Sequence, residues 1–262
     1  MRQLVKWCGT LNKIRVRVKP FNAQQQHYDK LTAALRFDMT KQQVKSCRVV
    51  RFNGCIYIVN SQKDENRLAS SGVLARLTAN GIVGFDTETA FYRDSSAHIP
   101  AISIVQIASK DTAVLWKLRR SGHFLYADFP NALRDILSDP SILKIGTGIT
   151  KDLQDLLFQY DVNTVAAIDN QDLAARLGFH RNGLQSLTAH LFGWTVSKSR
   201  RCSNWENPKL SIGHLFYAAK DAWASLLVFE KLKSLLEHLS VDIPTPVTAT
   251  DVVVLNERKS HK

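Results

Sequence analysis

The sequence has few cysteines, and their spacing excludes several classes of protein. The four are Cys8, Cys47, Cys55 and Cys202; they form no C-x-x-C pair, and no histidine stands at zinc-ligand spacing from them. This excludes a zinc finger and a disulfide-rich secreted domain, and it predicts a reduced, intracellular protein without structural disulfides. No apolar run approaches the roughly 20 residues that a membrane helix needs, so we expect no membrane contact.

Acidic residues are missing from the start of the chain. Of the 262 residues, 35 are lysine or arginine and 23 are aspartate or glutamate, which gives a formal net charge of +12. The segment 1–28 carries six of the basic residues and no acid, and therefore half of the positive excess. A charge of this sign predicts a polyanionic partner, in the first place a nucleic acid.

The basic start leaves two interpretations open. As a helix, it would place Leu4, Trp7 and Leu11 on one face and basic residues on the other, as mitochondrial presequences do. The other interpretation is an ordinary basic segment, for which a nuclear location is the alternative. We predict a basic extension over 1–47, with a helix or linker in 21–47.

Periodicity and turn signals predict a mixed α/β fold for the rest of the chain. We expect one folded domain over 48–240 and a loose tail over 241–262. The predicted elements are a β-hairpin over 48–59 turned at Asn53-Gly54, a helix over 64–79, strands from Ile82, over 100–109 and over 112–116, a helix over 129–137, a strand over 142–145, a helix over 150–160, a strand over 164–168, and helices over 170–239 broken at 194–209.

Two carboxylates close the strand that begins at Ile82. Asp86 and Glu88 stand two residues apart, so they point to the same face of a strand. Two like charges held this close are unfavourable unless a cation lies between them. Oxygen ligands of this kind suit Mg²⁺ or Mn²⁺. An isolated pair of this spacing is more often a solvated strand end, so the interpretation depends on residues further along the chain.

Two later acids complete the candidate constellation. Asp152 follows Gly146-Thr147-Gly148 at the start of a predicted helix. Asp221 lies within an otherwise apolar helix, one turn after Tyr217 and on the same face. A buried aspartate there needs Lys220, Arg176 or a metal ion as a partner. We expect Lys220 to be a poor one, since it faces about 100° away around the helix.

These phrases together resemble the 3'-5' exonucleases with an Asp-Glu-Asp-Asp core and a tyrosine, the DEDD-type, RNase D-like family. The resemblance covers about 48–238 and is greatest to the Werner-like exonuclease domains. It depends on five phrases in order: Gly84–Glu88, Ile104–Ile107, Gly146–Asp152, Leu184–Leu187 with His190–Gly193, and Arg201–Trp205 with Tyr217–Asp221. Tyr217 indicates the tyrosine branch. The second motif departs from RNase D-like members, which often carry His-Asn there.

The resemblance implies an RNase H-like fold with a five-stranded mixed sheet, an antiparallel meander followed by parallel strands. It implies a metal-dependent phosphodiester hydrolase with two Mg²⁺ or Mn²⁺ ions per site. The resemblance implies that Asp86, Glu88 and Asp221 hold the metal ion on the nucleophile side. It also implies that Asp86 bridges to the second metal ion. Asp152 would support the second ion through water, and Tyr217 would orient the attacking water. The product would be a nucleoside 5'-monophosphate released from the 3' end.

Substrate contacts are expected from two places. Thr87 would offer its backbone to the terminal nucleotide, and Lys198, Arg200 and Arg201 would meet phosphates. The partner is a nucleic acid with a free 3' end, DNA or RNA undecided, with a separate helicase or RNA-processing complex as a further partner. The alternatives are a catalytically inactive binding module of the same fold and an RNase H-type endonuclease.

Overall fold

A computed structural model describes residues 39–89 and 101–253 of the chain. The predicted amphipathic start, the first part of the predicted strand over 100–109 and the last nine residues lie outside the described residues. Within them the predicted α/β fold is confirmed, as a mixed sheet with helices on both faces.

Ten strands are described, six of which form the central sheet. They are β1 (Arg48–Val49), β2 (Cys55–Val59), β3 (Ile82–Thr89), β4 (Ile102–Ala108), β5 (Thr112–Lys117), β6 (Arg119–Arg120), β7 (His123–Phe124), β8 (Leu143–Gly146), β9 (Ala167–Asp169) and β10 (Trp194–Thr195). The order across the sheet is β2-β5-β4-β3-β8-β9. Strands β3, β4 and β5 form the predicted antiparallel meander, while β8 and β9 add in parallel.

The predicted hairpin over 48–59 is wrong, and the sheet has six strands rather than five. β2 pairs in parallel with β5 at the sheet edge, whereas β1 pairs in parallel with β10. The reason lies at Gly54, where a Cβ would overlap the carbonyl oxygen of Asp111, which accepts the Cys55 N–H at 2.8 Å. The glycine permits a close approach to β5 instead of a tight turn, so the two halves of the segment join different partners.

Eight helices are described in residues 39–89 and 101–253, apart from a last turn at 249–253. They are α1 (Lys41–Ser46), α2 (Gln62–Ser70), α3 (Val73–Thr78), α4 (Asn131–Ser138), α5 (Thr150–Tyr160), α6 (Asn170–Arg176), α7 (Leu184–Phe192) and α8 (Ile212–His238). The predicted helix over 64–79 is two helices, because Gly72 adopts a left-handed conformation with φ of 71°. None of the described helices combines the length and apolar composition of a membrane crossing.

The helices cover the sheet on two sides and place the core between them. On one face the side chains of β3 and β4, such as Phe85 and Val105, pack against α2 to α5. On the other face Ile104 and Ala108 pack against Ala218 and Ala222 of α8. Side chains alternate between the faces along each strand, which explains why β4 is buried throughout.

Packed residues continue on both sides of the region predicted over 48–240. Before residue 48, Val44 of α1 packs with Ala189 of α7. After residue 241, Val247 forms a bridge to Ala167, and Ala249 and Val252 are buried in the core. The expectation of a loose tail is therefore wrong for 241–253, because its apolar residues cover the β9 edge of the sheet.

Candidate active site

Strand β3 presents the first two acids toward helix α8. Alternation along the strand places Gly84, Asp86 and Glu88 on one face. A Cβ on Gly84 would overlap the carbonyl oxygen of Ala222, so the glycine allows the α8 backbone to lie directly against the strand. This close approach brings the side chain of Asp221 to the acids of β3.

Three of the predicted carboxylates meet at this point. One oxygen from each of Asp86, Glu88 and Asp221 lies within 4.8 Å of the other two. Glu88 and Asp221 are each 8% exposed, and Asp86 is half-buried. Three acids at this distance and depth repel one another strongly, so the arrangement is typical of a site that holds a cation.

The fourth predicted acid reaches the site from the other side of the sheet. Thr87 points away from α8, and its hydroxyl donates a hydrogen bond to Asp152 at the start of α5. Asp152 is not one of the three mutually close carboxylates, but its negative charge contributes to raising the pKa values of Asp86 and Glu88. The structure therefore brings three of the four acids together and leaves Asp152 outside that group, linked to it through Thr87. Thr87 has a positioning contact that its expected backbone role did not include.

The turn before α5, the helix that carries Asp152, is held by Asp169, a residue to which no sequence motif pointed. The Asp169 carboxylate accepts hydrogen bonds from the backbone N–H groups of Gly148 at 2.8 Å, Ile149 at 2.9 Å and Gln171 at 2.8 Å. Gly148 has φ of 80°, which turns its N–H toward this carboxylate. The signal was an aspartate between a strand and a helix, the usual position of an N-cap.

The pKa values of all four acids are raised. For Asp86 and Glu88 burial is the largest cause, and the neighbouring carboxylates add to it. Burial raises the pKa of Asp152 to about 7, although the hydrogen bond from Thr87 acts in the opposite direction and lowers it. Burial raises the pKa of Asp221 to about 6, while the adjacent Lys220 opposes that change. Near neutral pH this site therefore takes up protons unless another cation replaces them.

Lys220 is closer to Asp221 than the helix geometry led us to expect. Its Nζ lies 3.3 Å from Asp221 Oδ1, and both side chains are buried. The expectation of a poor partner is wrong because the four-carbon stem curls back although the two Cβ atoms diverge. The contact lacks hydrogen-bond geometry, which leaves Asp221 Oδ1 without a hydrogen-bond donor among the described residues. Arg176 donates instead to the carbonyl of Asp242 at 3.0 Å.

Tyr217 borders the same cluster. It is 8% exposed and packs against Trp205, with ring centroids 5.8 Å apart. Its pKa is raised, first by burial and then by the charges of Asp221, Glu88 and Asp86. The hydroxyl therefore keeps its proton and can donate a hydrogen bond into the site.

The predicted basic residues lie on the segment between β10 and α8. Lys198, Arg200 and Arg201 are all exposed. The charge of Lys198 lowers the pKa of Asp221, which indicates that it lies within electrostatic reach of the site. The guanidinium of Arg200 lies beside Gly213, over the first turn of α8. Lys198 thus places a positive charge near the acids, and Arg200 places one at the start of the helix that carries Asp221.

The donor set fits a hard divalent cation. The oxygens come from carboxylates, and two buried polar groups beside them have no hydrogen-bond partner among the described residues. One is Asp221 Oδ1, and the other is the amide of Gln106, which lies directly opposite Asp86 on β4 and is fully buried. Buried polar groups are nearly always hydrogen-bonded, and a hydrated ion held by the carboxylates would supply the missing partners here.

Comparison with known proteins agrees with this geometry. The model of a 3'-5' exonuclease family matches residues 62–237. The mouse bifunctional 3'-5' exonuclease/ATP-dependent helicase WRN is 29% identical over 192 residues, covering 71% of this chain and 13% of that protein. Ribonuclease D of Gluconacetobacter diazotrophicus is 30% identical over 188 residues, covering 71% of this chain and 45% of that protein. The chain thus spans less than half the length of either relative.

A solved structure shows the same fold at lower identity. The Aedes aegypti Nibbler EXO domain superposes with a TM-score of 0.58 at 18% identity, covering 71% of this chain and 91% of that domain. The family match extends over more than half of the chain and includes the strand of Asp86 and Glu88, Asp152, and the helix of Tyr217 and Asp221. The chain therefore belongs to the DEDD-type 3'-5' exonuclease family.

Proposed function

We propose that the chain hydrolyses the phosphodiester bond at the 3' end of a nucleic acid and releases nucleoside 5'-monophosphates. The observation that carries this proposal is the convergence of Asp86, Glu88 and Asp221 within 4.8 Å in a buried setting. A general acid and a general base account for two carboxylates, whereas bound divalent cations account for all three and stabilise the charge that develops in phosphoryl transfer.

The residues divide into cation-holding and orienting groups. Asp86, Glu88 and Asp221 would hold the divalent metal, and Asp152 would support it from beside them. When bound, Mg²⁺ or Mn²⁺ supplies Lewis acidity and a water of lowered pKa. Tyr217, which keeps its proton, donates its hydrogen bond to orient the attacking water in line with the scissile bond.

The substrate is held by charge on the solvent side of the acids. Lys198, Arg200 and Arg201 contact the phosphates upstream of the scissile bond, and the backbone beside Thr87 contacts the terminal nucleotide. Contacts of this kind do not select a base sequence. The names of the relatives include both a helicase-linked exonuclease and a ribonuclease, and a helicase or RNA-processing complex would be a separate partner.

The test is degradation of matched DNA and RNA oligonucleotides, labelled at the 5' end, with Mg²⁺, Mn²⁺ or EDTA. We expect a ladder shortened from the 3' end in the presence of metal, with nucleoside 5'-monophosphates as product. Asp86→Asn should lower the rate by at least about 100-fold. Asp155→Asn is the matched control, because Asp155 lies one turn after Asp152 but pairs with Lys151 at 2.5 Å on the surface.

Three results would contradict the proposal. These are no degradation of any linear substrate by the folded protein, equal rates for Asp86→Asn and Asp155→Asn, and cleavage of a circular oligonucleotide. The last result would favour an endonuclease. The comparison of DNA with RNA under the same conditions assigns the substrate class.

One observation favours a second function, a binding module without catalysis. Lys220 places a positive charge beside Asp221, as a substitute for a metal ion would. One lysine does not balance Asp86, Glu88 and Asp221, which is why catalysis is the better-supported function. A non-catalytic module would bind oligonucleotides with equal affinity in EDTA and in Mn²⁺ and would leave them intact.

A further inference from the structure

The buried amino group of Lys220 has three partners, each of which belongs to a different part of the site. It lies 3.3 Å from Asp221 Oδ1, donates a hydrogen bond to the carbonyl oxygen of Ser197 at 3.0 Å, and stands 4.4 Å from the centre of the Tyr217 ring. Lys220 itself is only 4% exposed. A lysine this buried must be compensated, and here the compensation comes entirely from groups of the site.

The contact with Ser197 reaches the segment that carries the basic residues. Ser197 directly precedes Lys198. The Lys220 ammonium group donates a hydrogen bond to the carbonyl oxygen of Ser197 and so links this segment to α8. The same ammonium group lies over the face of Tyr217, a favourable cation–π arrangement. A single side chain therefore fixes the relative positions of the basic segment, the tyrosine and one acid.

The charge of Lys220 also acts on the rest of the acid cluster. It opposes the rise in pKa of Asp86 and Glu88 as well as that of Asp221. Lys220 is in direct contact with one of the three carboxylates, that of Asp221. Lys198, on the exposed segment, also lowers the pKa of Asp221.

We propose that Lys220 is a positioning residue: an internal cation that holds Asp221, Tyr217 and the basic segment 197–201 in place before metal binds. This rests on the proposed function in so far as the acids bind metal. Lys220 has opposite effects on two properties. It stabilises the metal-free fold by compensating buried negative charge, and it weakens metal binding because its positive charge repels the incoming cation.

The opposite signs separate this role from simple packing. Lys220→Met keeps the length of the side chain and removes the charge. In EDTA at pH 8 we expect a lower Tm than in the wild type. In the same variant we expect Mn²⁺, measured by calorimetry on the metal-free protein, to bind at least about 5-fold more tightly. A packing defect would instead lower the Tm and leave the affinity equal or weaker.

A second buried lysine provides the matched control. Lys144 on β8 is fully buried, and its Nζ donates to the carbonyl oxygen of Asp139 at 2.8 Å, away from the acids. Lys144→Met should lower the Tm without changing the Mn²⁺ affinity. Equal changes in Mn²⁺ affinity for the two variants would overturn the proposal, as would weaker or unchanged Mn²⁺ binding by Lys220→Met.

A double variant keeps the test decisive if Lys220→Met does not fold. Lys220→Met with Asp221→Asn removes both charges of the pair, so the double variant should regain part of the Tm lost by Lys220→Met. If Lys220→Met does not fold, a double variant that also fails to fold would refute the role of charge. If Lys220→Met folds, the role of charge would be refuted by a double variant whose Tm change equals the sum of the changes in Lys220→Met and Asp221→Asn. These stability measurements use no metal and no nucleic acid. A failure of the proposed nuclease activity would therefore leave them interpretable.

Discussion

The metal-free protein should lose stability as the pH rises from 5 to 8. The folded pKa values of Asp221 and Asp152 are about 6 and about 7, above the ordinary aspartate value of 3.8. The native state therefore holds more protons than the unfolded state across this range. Stability linked to raised carboxyl pKa values is present at low pH and is lost as the pH passes through the folded values.

The magnitude follows from the same values. The loss of unfolding free energy between pH 5 and 8 is on the order of 1 kcal/mol for Asp221 and on the order of 3 kcal/mol for Asp152, whose folded pKa is the higher of the two. Asp86 and Glu88 act in the same direction because their pKa values are also raised. About 4 kcal/mol corresponds to a fall in Tm of roughly 8–16 °C for a domain of this size.

The assay is thermal unfolding in EDTA at pH 5, 6, 7 and 8, repeated with saturating Mg²⁺ or Mn²⁺. Metal binds the deprotonated acids, so its presence should remove the decline or reverse it. In EDTA, Asp152→Asn should reduce the fall in Tm with pH by the part that the Asp152 carboxyl contributes. His214, whose pKa is lowered first by burial, contributes a small opposite slope around pH 6, and His214→Gln isolates it.

The result that would refute this reasoning is a metal-free Tm that stays constant or rises between pH 5 and 8. Asp139 and Asp251 cannot mask the effect, since their lowered pKa values move their titration below this range. An unchanged profile in Asp152→Asn would show that this carboxyl is not protonated in the native state.

Three further predictions concern single positions. Gly84→Ala should destabilise the fold by about 1–3 kcal/mol in denaturant titration, because the new Cβ meets the carbonyl of Ala222; wild-type stability would contradict the close approach of α8. Tyr217→Phe should lower kcat by about 100-fold with little change in KM, since it removes only the orienting hydroxyl; a change confined to KM would contradict this role. Asp169→Ala should lower stability by about 2 kcal/mol and lower nuclease activity as well, because three backbone N–H groups lose their acceptor; unchanged activity would separate this loop from catalysis.

Local patterns made several features predictable. Asp86 and Glu88 share one strand face because side chains along a strand alternate with a period of two. The bounds of α5 were predicted as observed, because glycines precede that helix and a left-handed Asp161 ends it. The order of the acid motifs along the chain pointed to the family before any contact was known.

Other features depended on partners far away in sequence. The Asn53-Gly54 pair favours a hairpin in which β1 and β2 are neighbours. In the folded protein β2 pairs instead, in parallel, with the edge of β5. The segment 241–253 looked loose because two prolines and alternating Thr, Val and Ala residues follow Asp242. Their burial against β9 depends on an edge that only the folded sheet provides.

The amino-acid sequence by itself determined which chemistry is present: four carboxylates, a tyrosine and a basic border in the order of a nuclease family. The tertiary structure alone decided how the charges are balanced. Lys220 turns back to contact Asp221, and the Asp169 carboxylate accepts hydrogen bonds from the turn that precedes the helix of Asp152. The physical reason is that backbone periodicity fixes where a Cβ points. The position of a charge at the end of a long side chain is fixed by the groups that surround it in the folded protein.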